Sequence, residues 1–267
     1  MPGFFVFSGQ YVFSGQYFFS GQYAFSGQYA ALAADRCHGG GHDRSDGGSA
    51  VSDLADVVHA RRSIRMFLRD KPVPRELLTE ALELAMRAPS NSNIQPWRLF
   101  LTSGPRRDRL VEALLAQASR GFPATVGLPE SFADLRREVG KMVYGAMGIA
   151  REDREARRIA QLRNWEFFRA PVAGVVCVHR NLGAVDSMSV GMFLQTLMLA
   201  LTERGLGSCA QVSIAHFADV VREELDIPEE LTVLCGLAIG YPDEDFPANH
   251  LDTPRNPIAA NVVFRED

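Results

Sequence analysis

The sequence predicts an α+β fold, with a mixed or largely antiparallel central sheet flanked by helices. Helix-period and strand-type segments mix along the chain without a strict βαβ alternation. The 267 residues are 46% hydrophobic and 22% charged, ordinary values for a folded globular domain. No apolar run reads as long enough to cross a bilayer. A formal net charge of -4 also argues against a nucleic-acid or membrane-surface binder, since both favour a basic face.

The chain divides near residue 50. Residues 1–49 read as a low-complexity region without a packed core, and residues 50–267 as the folded domain. Phe-Ser-Gly-Gln-Tyr recurs at Phe7, Phe13, Phe19 and Phe25. That period is too short for a solenoid unit. Aromatics in a Gly/Ser/Gln background suit either self-association or a disordered extension, and the extension is the reading adopted. The segment lacks the basic start and continuous apolar stretch of a secretory signal. A Gly/His-rich linker follows; its Cys37, His38, His42 and Asp43 match no common zinc spacing, so no metal site is expected.

Within the domain, Ser52-Asp53 caps a helix running to about Arg61. Pro72 and Pro74 break the chain before a helix over Arg75–Arg87, where Leu77, Leu78, Ala81, Leu82, Leu84 and Ala85 form an apolar stripe. Pro89 and the polar Ser90–Asn93 loop lead into a strand from Trp97 to Thr102. Arg106–Ser119 reads as a helix, and Phe132 to about Ile159 as one long helical stretch. Val172–Val178 is a buried strand. Val185–Arg204 is a helix apolar nearly all round, which calls for burial in a core or between subunits. Phe217–Leu225 is a short helix, Leu231–Gly240 a strand, and Pro257–Phe264 an extended arm.

The four cysteines, Cys37, Cys177, Cys209 and Cys235, form no CxxC pair. Cys177 and Cys235 lie in apolar runs and read as small buried hydrophobes, which suits a reducing, cytoplasmic setting. Lys71 and Lys141 are the only lysines, so guanidinium groups must meet most anions.

Three clusters can carry chemistry. In Arg61-Arg62-Ser63-Ile64-Arg65, alternate residues of an extended segment put Arg61, Ser63 and Arg65 on one side, where they can hold a phosphate; the competing reading is a solvated helix end. Ala88–Trp97, bracketed by Pro89 and Pro96, offers amides and hydroxyls to a flat heterocycle, or is an ordinary Ser/Asn turn. Gly205–Ser213 lets a backbone N–H approach a ligand closely, but lacks the third glycine and the acid of a dinucleotide fingerprint.

In order, Arg61-Arg-Ser-x-Arg-x-Phe67, Ala88-Pro-Ser-x-x-Asn-x-Gln-Pro-Trp97, Gly205-Leu-Gly-Ser-Cys209 and Gly240-Tyr-Pro-Asp243 resemble the nitroreductase family from about Val51 onward. They look most similar to its actinobacterial branch, which reduces dinitroaromatic drugs. The resemblance implies the nitroreductase fold as an intertwined homodimer, with FMN as cofactor and NADPH or NADH as donor. The acceptor is a nitroaromatic or quinone, reduced by ping-pong two-electron hydride transfer. No residue is itself catalytic, because the flavin carries the chemistry.

By the same resemblance, Arg61, Arg62 and Ser63 grip the FMN phosphate. Arg65 tunes the flavin pyrimidine edge, which Asn93 also meets. Pro89, Ser90 and Asn91 come from the partner subunit. Ala210, Gln211, Val212 and Ser213 run along the ring, with the Val212 N–H toward N5, and Arg255 adds a phosphate contact. This chain departs from common family residues at Thr253 (often basic), Ala210 (often Pro) and Val212 (often acidic). Phe122, Phe132, Tyr144, Met147, Trp165, Phe167 and Phe168 either roof a substrate pocket or pack a core. Other readings are a reductive dehalogenase or flavin-consuming oxygenase on the same scaffold, or a non-enzymatic flavin-binding redox module.

Overall fold

The computed structural model describes residues 53–122 and 128–266. The amino-terminal repeats, the linker with Cys37, His38, His42 and Asp43, and the proposed cap residue Ser52 lie outside the described residues.

The described elements run α1 (Leu54–Ala60), α2 (Arg75–Ala85), β1 (Trp97–Ser103), α3 (Gly104–Arg120), α4 (Ala133–Ala146), α5 (Arg154–Leu162), β2 (Val172–His179), α6 (Ala184–Glu203), β3 (Gly207–Gln211), α7 (Ala218–Leu225), β4 (Leu231–Gly240) and α8 (Ile258–Asn261). Four strands form one sheet in the order β1-β2-β4-β3, and every neighbouring pair is antiparallel. The expected central sheet is therefore present, in its antiparallel form.

Both faces of the sheet are covered, which is why β2 and β4 read as nearly continuous apolar runs. Val172, Val176 and Val178 of β2, with Cys235, Leu237 and Ile239 of β4, pack under α2 and α6. Ala173, Val175 and Cys177, with Val233 and Ala238, pack under α3 and α7 on the other side. Cys177 and Cys235 are buried, as expected of small hydrophobes, and burial pushes their thiol pKa values up to about 12 and about 11. Trp97 stacks on Phe193 with ring centroids 4.9 Å apart, tying β1 to α6.

α6 is a correction to the apolar-run count. It is 20 residues long and its most apolar 18-residue stretch has a mean hydropathy of 1.4, enough by length and composition for a bilayer span. In the fold it is a core helix, since Val190, Phe193, Leu197 and Leu201 are each 2% exposed or less. Burying each such side chain contributes roughly 1.5–3 kcal/mol.

The single long helix expected over Phe132–Ile159 is instead α4 and α5. Gly148 interrupts it with a φ of +69°, a left-handed value that ends helices. The sequence reading also had no strand at β3, a short segment of Gly, Ser and Cys without strand-type residues. Its β structure comes from pairing with β4, Gly207 opposite Gly240 through Gln211 opposite Gly236. The carboxyl-terminal arm contains the short helix α8 where only extended chain was expected.

Candidate functional site

The arginine cluster is built where α1 stops. Asp53 Oδ1 caps the helix by accepting from the Ala55 N–H at 3.2 Å, and the backbone turns extended at Arg61. From there the chain runs beside β3. Ser63 pairs with Ser208 in a parallel bridge, and the Ile64 N–H donates to the Ser208 carbonyl at 3.1 Å. Gly207 makes this approach possible: a Cβ there would sit 2.7 Å from Ile64 Cγ1 and 3.0 Å from Pro242 Cγ.

The other side of the segment is held by the turn after β4. Phe67 bridges Pro242, and the Leu68 N–H donates to the Tyr241 carbonyl at 3.0 Å. Asn249, only 3% exposed, closes the arrangement. Its Oδ1 accepts from the Arg65 N–H at 2.7 Å, and its Nδ2 donates to the carbonyls of Met66 and Asp243 at 2.8 and 2.9 Å. Sequence reasoning missed Asn249. Its one signal was an amide six residues past the Gly240–Asp243 motif.

Alternation sorts the cluster. Ile64 is buried and Arg62 exposed, while Arg61, Ser63 and Arg65 are half-buried. These three converge on the Cys209 thiol. Burial pushes that thiol up to about 11, against the opposing pull of the Arg65 guanidinium, the Ser63 hydroxyl and the Arg61 guanidinium. Arg65 Nη1 donates to the Ser63 carbonyl at 3.0 Å. Among the described residues, neither Arg61, Arg62 nor Arg65 joins an ion pair. Guanidiniums without a carboxylate partner are free to meet an external anion.

β3 continues this cradle. Ala210 is exposed, and Val212 is 67% exposed at the start of the tight turn Val212–Phe217. Gln211 differs from the sequence reading: its side chain is 3% exposed and turned inward, where Nε2 donates to the Asn164 carbonyl at 2.7 Å. Ser208 Oγ and Gln211 Oε1 are buried without a hydrogen-bond partner among the described residues. The Trp165 indole N–H donates to the Ser213 carbonyl at 3.3 Å.

The second cluster lies elsewhere in the same chain. Asn91–Asn93 forms a short 3₁₀ turn, with Ser92, Asn93 and Gln95 all at positive φ near 50°. The loop is pinned by Ser90 Oγ, which accepts from the Gln95 N–H at 3.0 Å, and by Ser189 Oγ of α6, which accepts from the Asn91 N–H at 3.3 Å. It feeds β1, whose Trp97 faces Val178 and, through it, Thr232, whereas Ser208 faces Ile239 on the far strand. Strand spacings put these corners roughly 14 Å apart across the sheet and about 23 Å along it. One chain thus does not bring Pro89, Ser90, Asn91 and Asn93 to Arg61–Arg65.

Arg255 is exposed and donates to Thr253 and Pro254. No described hydrogen bond or ion pair joins it to the cluster, although it follows the Asn249 clamp by six residues. Of the middle-region aromatics, Trp165, Phe167 and Phe168 are core residues, 5%, 0% and 6% exposed. Phe122 and Phe132 are exposed at 41% and 50%, and Phe122 stacks on Trp165 at 5.2 Å. Tyr144 lies under Arg157, 4.0 Å from guanidinium carbon to ring centre. Met147 is half-buried beside Arg163.

A model of the nitroreductase family matches residues 58–241. The chain is 36% identical over 228 residues to the 4-nitrobenzoate reductase of Nocardioides sp. (strain LMS-CY), covering 82% of this chain and 92% of that protein. It resembles the solved FMN and NADPH-dependent nitroreductase NfnB from Sphigopyxis sp. strain HMH, with a TM-score of 0.77 and 33% identity over 81% of this chain and 100% of that one. It also resembles the FMN-dependent nitroreductase NfnB from Mycobacterium smegmatis in complex with NADPH, with a TM-score of 0.75 and 34% identity over 80% of this chain and 100% of that one.

Proposed function

This chain belongs to the nitroreductase family, and we propose that it is an FMN-dependent NAD(P)H oxidoreductase that reduces small nitroaromatic acceptors as a homodimer. The observation that carries the reading is the arginine cluster, without acidic partners among the described residues, held by β3 beside the exposed Val212.

The donor set fits a flavin mononucleotide. A phosphate needs concentrated positive charge and a hydroxyl, which Arg61, Arg62 and Ser63 offer, with Arg255 within chain reach. A flat heterocycle needs an open backbone edge, which Ala210 and Val212 offer. Arg65, fixed through its own N–H by Asn249, is suited to the carbonyl edge of the ring, where its charge favours the more anionic, reduced state. FMN, when bound, supplies the two-electron chemistry between a nicotinamide donor and the aromatic acceptor. The residues of this chain bind and orient it. One relative described as NADPH-dependent and another solved in complex with NADPH support NADPH as donor, with NADH as the alternative.

Homodimer formation would unite the two clusters. Pro89, Ser90, Asn91 and Asn93 of one chain would complete the cradle of the other. Three surfaces support this arrangement. Val185 and Met188 on the outer side of α6 are 55% and 62% exposed, and Met192 and Leu199 continue that stripe at heptad spacing. Among the described residues the outer edge of β1 is unpaired, and two cavities of about 820 and 520 Å³ lie along it against α2, sharing Leu82 and Leu101. The arm after Pro257 carries Ile258, Val263 and Phe264 at 70%, 75% and 74% exposure, an apolar strip suited to wrapping a second copy. Three buried free thiols suit a reducing, cytoplasmic compartment.

The test is the visible spectrum of the purified protein. A flavin spectrum that NADPH bleaches under anaerobic conditions and a nitroaromatic restores is the expected result. A colourless protein that takes up no added FMN sinks the proposal.

A further inference from the structure

We propose that Gln211 and Trp165 are positioning residues that hold the Val212 N–H in a fixed direction, so that cofactor affinity and redox potential depend on two side chains that do not touch the cofactor. This rests on the FMN reading above and concerns the same site.

Val212 is the most exposed residue of the turn after β3, yet its flanks are gripped from below. Upstream, Gln211 Nε2 donates to the Asn164 carbonyl at 2.7 Å. Downstream, the Ser213 carbonyl accepts from the Trp165 indole at 3.3 Å, and the Ser213 hydroxyl lies 3.5 Å from Asn164 Oδ1. Asn164 is itself tied back, its Nδ2 donating to the Gln161 carbonyl at 3.0 Å. One residue further on, Ile214 packs so closely on β4 that a Cβ at Gly236 would lie 2.5 Å from Ile214 Cγ1. The peptide thus has a fixed point before it and two after it.

The cost of this arrangement points to geometry rather than stability as its purpose. Gln211 is 3% exposed, and its Oε1 is buried with no partner. An apolar side chain would fill the same space without an unmet acceptor, so the amide is a poor choice for folding alone. The platform below is also strained. Phe167, Phe168 and Arg169 all adopt left-handed φ values of 50°, 52° and 66°, which side chains with a Cβ disfavour. Strain of this kind persists where surrounding structure over-determines it, commonly at functional sites. A preorganised N–H gains its effect by being aimed before the ligand arrives.

A directional effect on potential follows. Oxidised flavin N5 accepts a hydrogen bond, whereas reduced N5 bears a hydrogen of its own. A loosened Val212 N–H therefore weakens the oxidised complex more than the reduced one.

The test uses Gln211→Met, which deletes one donor with little change in volume, and Trp165→Phe, which deletes the other and also leaves a cavity in the core. In the cofactor-free protein, hydrogen–deuterium exchange of the peptide spanning residues 211–213 is expected to quicken severalfold in both variants. The dissociation constant for oxidised FMN is expected to rise about tenfold. If that loss is confined to the oxidised form, the two-electron midpoint rises by about 30 mV. Unchanged exchange, affinity and midpoint in both variants would overturn the proposal. If Trp165→Phe fails to fold, Gln211→Met and Ser213→Ala decide by the same readings. A wild-type protein that binds no FMN refutes the function proposed above, while the exchange measurement still tests the clamp by itself.

Discussion

Asn249 shows how much one buried side chain can organise. It accepts from the Arg65 N–H and donates to two carbonyls on different segments, joining the arginine cluster to the turn after β4. Asn249→Ala leaves the Arg65 N–H unmet inside the fold and takes the second donor from the Met66 and Asp243 carbonyls, which keep the Asp243 and Phe246 N–H groups, and should cost about 1–3 kcal/mol in chemical denaturation. Asn249→Asp should not recover that loss, because a carboxylate can replace the acceptor but neither donor. A variant as stable as wild type would mean that water or another side chain satisfies these groups. The pattern Arg61, Ser63, Arg65 was legible in the sequence because period-two alternation follows from extended backbone. Asn249 was not, since its three partners are brought together only by the fold, 184 positions from Arg65 in the case of that N–H.

At the level of elements, β3 matters most and was least visible. β1, β2 and β4 announce themselves through β-branched and aromatic runs. The segment Gly207–Gln211 has none, and becomes a strand because β4 offers a free edge and the chain at Ser63–Ile64 closes the other side. The same contacts made the third glycine-bearing cluster readable as a close-approach site while hiding its secondary structure. The break between α4 and α5 was missed for a related reason, since a lone glycine in a helical pattern signals a stop only when its φ is known. Gly207→Ala is the expected way to separate β3 from the arginine segment. The added methyl meets Ile64 near its backbone, so relief requires the main chain to move. A loss of about 1–3 kcal/mol is expected, with weakened FMN binding measured by fluorescence titration. Retention of wild-type affinity would show that the bridge to Ser63 does not shape the cradle.

For the whole molecule, the all-round apolarity of α6 follows from two different demands. Its inner side supports the sheet through Phe193, Leu197 and Leu201, while Val185 and Met188 remain open. The prediction at this scale concerns the arm. Removing residues 257–267 should shift sedimentation from dimer toward monomer at micromolar concentration and lower the FMN content of the purified protein in parallel. A truncated protein that stays dimeric and fully loaded would assign the exposed strip Ile258–Phe264 another purpose.

α6 also acts as a spacer. At 1.5 Å per residue, the part of α6 from Ser189, where the loop is bound, to Glu203, before the entry of β3, spans about 21 Å. A rigid rod of that length keeps the two clusters of one chain from ever meeting. If the cofactor needs both, subunit association and cofactor binding are one linked equilibrium, and each strengthens the other by mass action. The supply of flavin would then govern how many subunits are paired, and dilution would cost the protein its colour before its fold.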